Sequence, residues 1–130
     1  MNTKTKYELE IPFHASPAMI FQYISDATGL SEWFANKVKS VKDIYTFHWD
    51  NEVKVAKLTH IKLNERVKFV WLNDDLSETE YFFEIKIIED EITNDISLII
   101  IDFAFSDEIK DEKSLWISVI NDFKHIIGAV

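Results

Sequence analysis

Polar and apolar residues alternate from the start of the chain. In KYELEIPFHA, Tyr7, Leu9 and Ile11 fall on one side and Glu8 and Glu10 on the other, which predicts a half-buried strand. The period then lengthens. Ser16 offers a side-chain oxygen as a helix N-cap, and Pro17 suits the first helical position because its missing N–H is not needed there. Ile20, Tyr23, Ile24 and Ala27 follow at helical spacing. Gly29 is the expected stop, taking the left-handed conformation that ends a helix. Leu30, Trp33 and Phe34 then share a face of a second short helix.

From Val38 the period returns to two. IYTFHW places Tyr45, Phe47 and Trp49 together, Asp50-Asn51 reads as a tight turn, and EVKVAKLTHIKL continues as a strand. Asn64-Glu65 turns the chain again, and RVKFVW groups Val67, Phe69 and Trp71. Past the loop NDDLS, ETEYFFEIKIIE sets Tyr81, Phe83, Ile85 and Ile87 on one face; EITND turns, and ISLIIIDFAF is the last strand. The remainder, SDEIKDEKSLWISVINDFKHIIGAV, is helical: Trp116, Val119, Ile120, Phe123 and Ile127 make one apolar stripe. Asp107, Glu108, Asp111 and Glu112 crowd its start, and Lys124 and His125 sit near its end, both favourable to the helix dipole. The order is strand, two short helices, about six strands and one long helix. Short turns between neighbours favour antiparallel pairing, so the class is α+β, with helices on one face of an antiparallel sheet.

Three stretches carry a family resemblance. SPAMIFQYISDATGLSEWFA, HIKLNERVKFVW and SLWISVINDFKHII, in that order and spacing, resemble the START-like (SRPBCC) superfamily, in the branch related to chaperone ATPase activators. The resemblance runs over nearly the whole chain and implies one START-like domain over residues 1–130. It implies a helix-grip fold: a curved antiparallel β-sheet of about six to seven strands wrapped around a long C-terminal helix, with two short helices after strand 1. It also implies a cavity for an apolar ligand between sheet and helix.

Composition narrows the chemistry. The chain has 130 residues and a net charge of −9, which disfavours nucleic acid and anionic membranes, since phosphate binding needs a basic stripe. It has no cysteine, which excludes disulfides, cysteine-based zinc sites and thiol catalysis. The polar N-terminus lacks an apolar signal core, and no apolar run approaches the roughly 18 residues of a membrane span, so a cytoplasmic location without stable membrane insertion is expected.

Ten Phe, four Trp and four Tyr pose the central question, because rings can either wall a ligand or fill the space themselves. A sealed empty void of about 300 Å³ would cost about 7 kcal/mol at roughly 24 cal/mol per Å³, so a large apolar cavity must be hydrated, occupied or closed. The candidate pocket lining is Trp33, Phe34, Phe47, Trp49, Phe69, Trp71, Tyr81, Phe83, Phe103, Trp116, Ile120 and Phe123. Each has an alternative role in plain core packing, and Trp33 and Phe34 read as either plug or gate. His60 and Asp102 are the polar candidates. Asp102 reads either as an outward carboxylate or as an inward group orienting a polar ligand. Nucleophile, zinc-protease and phosphate-loop motifs are absent, so no catalytic residue, metal ligand or cofactor is assigned. Three functions remain open: a binding protein for an apolar or amphipathic small molecule, lipid-like or polyketide-like; a protein-interaction module with a filled core, as the chaperone-activator resemblance implies; and a cyclase- or hydrolase-type enzyme. Phe82 and Ile88 lie on the opposite parity from Tyr81, Phe83 and Ile85, which predicts an apolar convex face and a homodimer through it.

Overall fold

The computed structural model describes residues 3–129. The elements run β1 (Thr5–Pro12), α1 (Pro17–Ile24), α2 (Ala27–Trp33), β2 (Lys37–Val41), β3 (Ile44–Trp49), β4 (Glu52–Lys62), β5 (Arg66–Leu72), β6 (Glu78–Glu89), β7 (Ile96–Ala104) and α3 (Ile109–Ile126). The seven strands form one antiparallel sheet in the order β1-β7-β6-β5-β4-β3-β2. Only β1 is displaced from sequence order, pairing with β7 at the far edge. The alternation did not mark the turn between β2 and β3, at Lys42-Asp43, where Lys42 takes a φ of 56°.

One face of the sheet carries the core. Tyr45 and Phe47 of β3, Ala56 of β4, Val67 and Phe69 of β5, Phe83, Ile85 and Ile87 of β6, and Leu98 and Ile100 of β7 are all buried there. The terminal helix α3 closes that face with Trp116, Ile120 and Phe123, the middle of its apolar stripe. Phe123 is the point where the parts meet. Its ring stacks on Trp33 of α2 at 4.6 Å and packs against Phe13 at 4.9 Å and Tyr23 of α1 at 5.6 Å. The two short helices therefore plug the side of the sheet that α3 leaves open.

The break between these helices is not where Gly29 was expected to put it. Gly29 lies inside α2, and Gly128, after α3, is the glycine with positive φ (72°). The chain turns instead at Ser25 and Asp26. Ser25 ends α1, and the Asp26 carboxylate caps α2 by accepting from the Gly29 N–H at 2.7 Å. Gly29 is needed for close approach: a Cβ there would stand 2.3 Å from the Gln22 carbonyl oxygen and 2.6 Å from Tyr23 Cα. Only a residue without a side chain lets α2 rest on the backbone of α1.

Candidate functional site

The concave face is not filled evenly. Phe47 and Phe69 are fully buried and Phe83 nearly so, and they touch one another edge-to-face or stacked at 5.0–6.0 Å. Toward the Asp50-Asn51 turn the packing opens. A solvent-accessible cleft of about 340 Å³ remains between α3 and the sheet, walled by Phe34, Trp49, Trp71, Phe83 and Trp116 with Leu115 and Val119 of α3. Its polar members are Glu52, Lys54, Asp102 and Glu112. A neighbouring lobe of about 250 Å³ shares Glu52, Lys54, Trp71, Asp102 and Glu112 and adds Lys4, Tyr81 and Phe103.

The indoles in the wall are fixed by polar bonds. Trp49 donates its Nε1–H to the Phe34 carbonyl at 3.1 Å, and Trp116 donates to Asp102 Oδ2 at 2.9 Å. Asp102 stands on the same side of β7 as Leu98 and Ile100, facing α3; of the two orientations open to it, the structure adopts the inward one. Its Oδ2 also accepts from the Tyr7 hydroxyl at 3.3 Å, and its Oδ1 from the Phe103 N–H at 2.7 Å. Burial nevertheless raises the Asp102 pKa above the usual carboxylate value, outweighing these bonds and the attraction of Lys54. Burial, and then repulsion from Asp102 and Glu108, raise Glu112 as well. Burial, followed by the Asp102 charge, pushes the Tyr7 phenol up. Burial lowers the Lys54 amine. Lys54 Nζ lies 3.8 Å from the centroid of the Trp71 ring.

A raised carboxylate pKa has a definite sign in stability. The folded chain binds the Asp102 proton more tightly than the unfolded chain, so this stabilisation is full below the unfolded pKa of 3.8 and is lost as pH rises through the folded value. Asp102→Asn removes the titration. The stability of the native chain relative to this variant is therefore expected to be greatest near pH 4 and to decline toward pH 7, as urea unfolding at about four pH values between these limits measures. A relative stability that climbs with pH would contradict the assigned burial.

The structure distributes the candidate residues among several places. Phe34, Trp49, Trp71, Phe83, Trp116 and Asp102 are brought together around the cleft. Tyr81 and Phe103 reach only the adjoining lobe, and Phe103, on the outer side of β7, packs against Phe82 at 5.0 Å. Phe47, Phe69, Ile120 and Phe123 are fully buried behind the cleft, and Trp33 is held in the plug by an Nε1–H bond of 2.7 Å to the Tyr23 carbonyl. His60 is exposed and outside the lining. Even-numbered residues of β4 face inward as far as Leu58, but the register shifts between Leu58 and His60 and sets His60 opposite Lys68. Lys54, Glu52 and Glu112 are polar wall residues that the alternation did not single out. Glu112 was accessible to it, since it begins the stripe continued by Trp116, Val119 and Phe123.

Helices on one face of a seven-stranded antiparallel sheet, with a cleft beneath the terminal helix, make this a helix-grip domain. The model of the START-like superfamily domain matches residues 1–129, and the chain belongs to that superfamily. It is similar to BfR322 from Bacteroides fragilis, with 35% identity over 100% of this chain and 95% of that one and a TM-score of 0.67. It shares its fold with the Aha1 dimer from Colwellia psychrerythraea at 16% identity, covering 92% of this chain and 93% of that one with a TM-score of 0.74. CalU16 from Micromonospora echinospora matches at 12% identity, 98% and 77% coverage and a TM-score of 0.69. No curated protein matches the chain. No helix among the described residues is long and apolar enough to cross a membrane.

Proposed function

We propose that the chain acts as one START-like domain whose cleft binds a compact amphipathic molecule. The apolar body of the ligand lies on Trp49, Trp71, Phe83 and Trp116, and its polar group meets Lys54, Asp102 and Glu112. The observation that carries this reading is the contrast within one face: Phe47, Phe69 and Phe123 close the rest of the interior, whereas Phe34, Trp49, Trp71, Phe83 and Trp116 pack against one another around a space of about 340 Å³ that no side chain fills. That volume falls at the small end of ligand pockets, about 300–1,000 Å³, and fits a fused-ring or short-chain molecule better than a long acyl chain.

The chaperone-activator-like reading, in which the protein is an interaction module, draws on the same filled interior. A second copy is the partner we infer for the convex face. There Val70, Phe82, Ile101 and Phe103 form an apolar band, with Ile88 45% exposed beyond it. Lys68 Nζ covers Phe82 at 4.1 Å and limits this band.

Native mass spectrometry of protein purified from cells, paired with titration of the neutral fluorophore N-phenyl-1-naphthylamine, tests both statements. A retained small-molecule mass, or saturable fluorophore binding at one site per chain, is expected of the cleft. A bare chain mass with no saturable binding would favour the interaction module. The same spectra are expected to contain a dimer, and monomers at every concentration would remove the convex-face interface.

A further inference from the structure

Strand β4 is laid into the sheet against its own hydrophobicity. In Glu52-Val53-Lys54-Val55-Ala56, the valines are the residues that burial favours, yet Val53 is 58% exposed. Lys54 points inward with Ala56, because the β3–β4 register sets Phe47 opposite Lys54 and Tyr45 opposite Ala56. Local rules are broken in this way where a site needs it. Among the described residues, Lys54 makes no salt bridge, although three carboxylates line the same cleft.

We propose that Lys54 is a nucleophile that condenses with the carbonyl group of an aromatic aldehyde or ketone held in the cleft, forming a Schiff base. This rests on the cleft being a ligand site. Three parts of the chemistry are in place. The Nζ hangs over the Trp71 indole at 3.8 Å, so a carbonyl compound bonded to it lies against that ring. Burial favours the neutral, nucleophilic amine, and it also favours the protonated forms of Asp102 and Glu112. One amine and three carboxyl groups thus line the same cleft.

The nitrogen lone pair forms the C–N bond, and the carbonyl π pair moves to oxygen, which gains a proton as nitrogen loses one. The carbinolamine hydroxyl then takes a proton from a cleft carboxyl and leaves as water while the C=N bond forms. Deprotonation of the nitrogen returns the proton to the carboxylate. One water is released, and nothing is oxidised or reduced.

Lys68 provides an internal control. It lies over an aromatic ring at a similar distance, 4.1 Å from Phe82, but on the convex face and outside the cleft. The test treats the full chain at pH 7 with 6-methoxy-2-naphthaldehyde and sodium cyanoborohydride, which reduces the imine to a stable amine, and maps the adducts by tandem mass spectrometry. General acid assistance of water loss contributes about a hundredfold in such steps, so Lys54 is expected to be labelled at least about tenfold faster than Lys68. Lys54→Arg is expected to abolish the dominant adduct, and Lys68→Arg to leave it. Labelling of Lys54 no faster than Lys68 would overturn the proposal. Saturable N-phenyl-1-naphthylamine binding without selective labelling would remove the Schiff base and keep the cleft, whereas loss of both would remove the ligand site itself.

Discussion

Replacing Phe123 by alanine is expected to destabilise the fold by about 3–5 kcal/mol, a large part of the roughly 5–15 kcal/mol available to a domain. The reason is geometric. Phe123 is fully buried and is the α3 side chain that touches Phe13, Tyr23 of α1 and Trp33 of α2 together. Truncation leaves a cavity between α3 and three other segments, none of which can collapse into it without moving a neighbour. Dispersion contacts are lost on every side, including the nearly parallel stack on Trp33, whose rings lie 12° from coplanar. Urea unfolding followed by tryptophan fluorescence measures the effect as a lower midpoint with an unchanged slope. A loss below about 1 kcal/mol would mean that α3 is not held to the two short helices through this ring.

The second large effect is on binding. Val119 lies on α3 one turn from Trp116 and forms part of the cleft wall. Val119→Trp puts an indole into the space assigned to the ligand. Saturable N-phenyl-1-naphthylamine binding is expected to weaken at least tenfold, about 1.4 kcal/mol, because the incoming rings lose their place against Trp49 and Trp71. Stability is expected to hold or to rise by about 0.5–2 kcal/mol, as cavity filling commonly gives. Unchanged fluorophore binding in a folded Val119→Trp protein would show that the molecule binds elsewhere.

Much of the architecture was legible because period and turn chemistry are local. The change from period two to 3.6 marked α3, and its stripe named Trp116, Ile120 and Phe123 correctly as inward residues. The Ser16-Pro17 start of α1 was equally plain, since the Ser16 hydroxyl accepts from the Met19 N–H at 3.1 Å. Gly29 was given the wrong task because a sequence displays a glycine's freedom but not the neighbouring backbone it must clear. The cleft was legible only in part. Alternation separates the two sides of a strand without saying which side is inside. In β4 the paired strands decide it, turning Lys54 in and Val53 out. For His60 a one-residue register shift decides, and no turn residue announces it. Asp102 went inward because Tyr7 and Trp116, distant from each other in the chain, converge as donors on one carboxylate.

The most direct measurement follows the four indole N–H signals in a two-dimensional ¹H–¹⁵N spectrum while N-phenyl-1-naphthylamine is added. Trp49, Trp71 and Trp116 line the cleft, whereas Trp33 is sealed in the plug against Phe123. The three wall signals are expected to shift together with one saturation curve, and the Trp33 signal to stay in place. Four stationary signals, or movement confined to residues around Phe82 on the convex face, would contradict a ligand site between the terminal helix and the sheet.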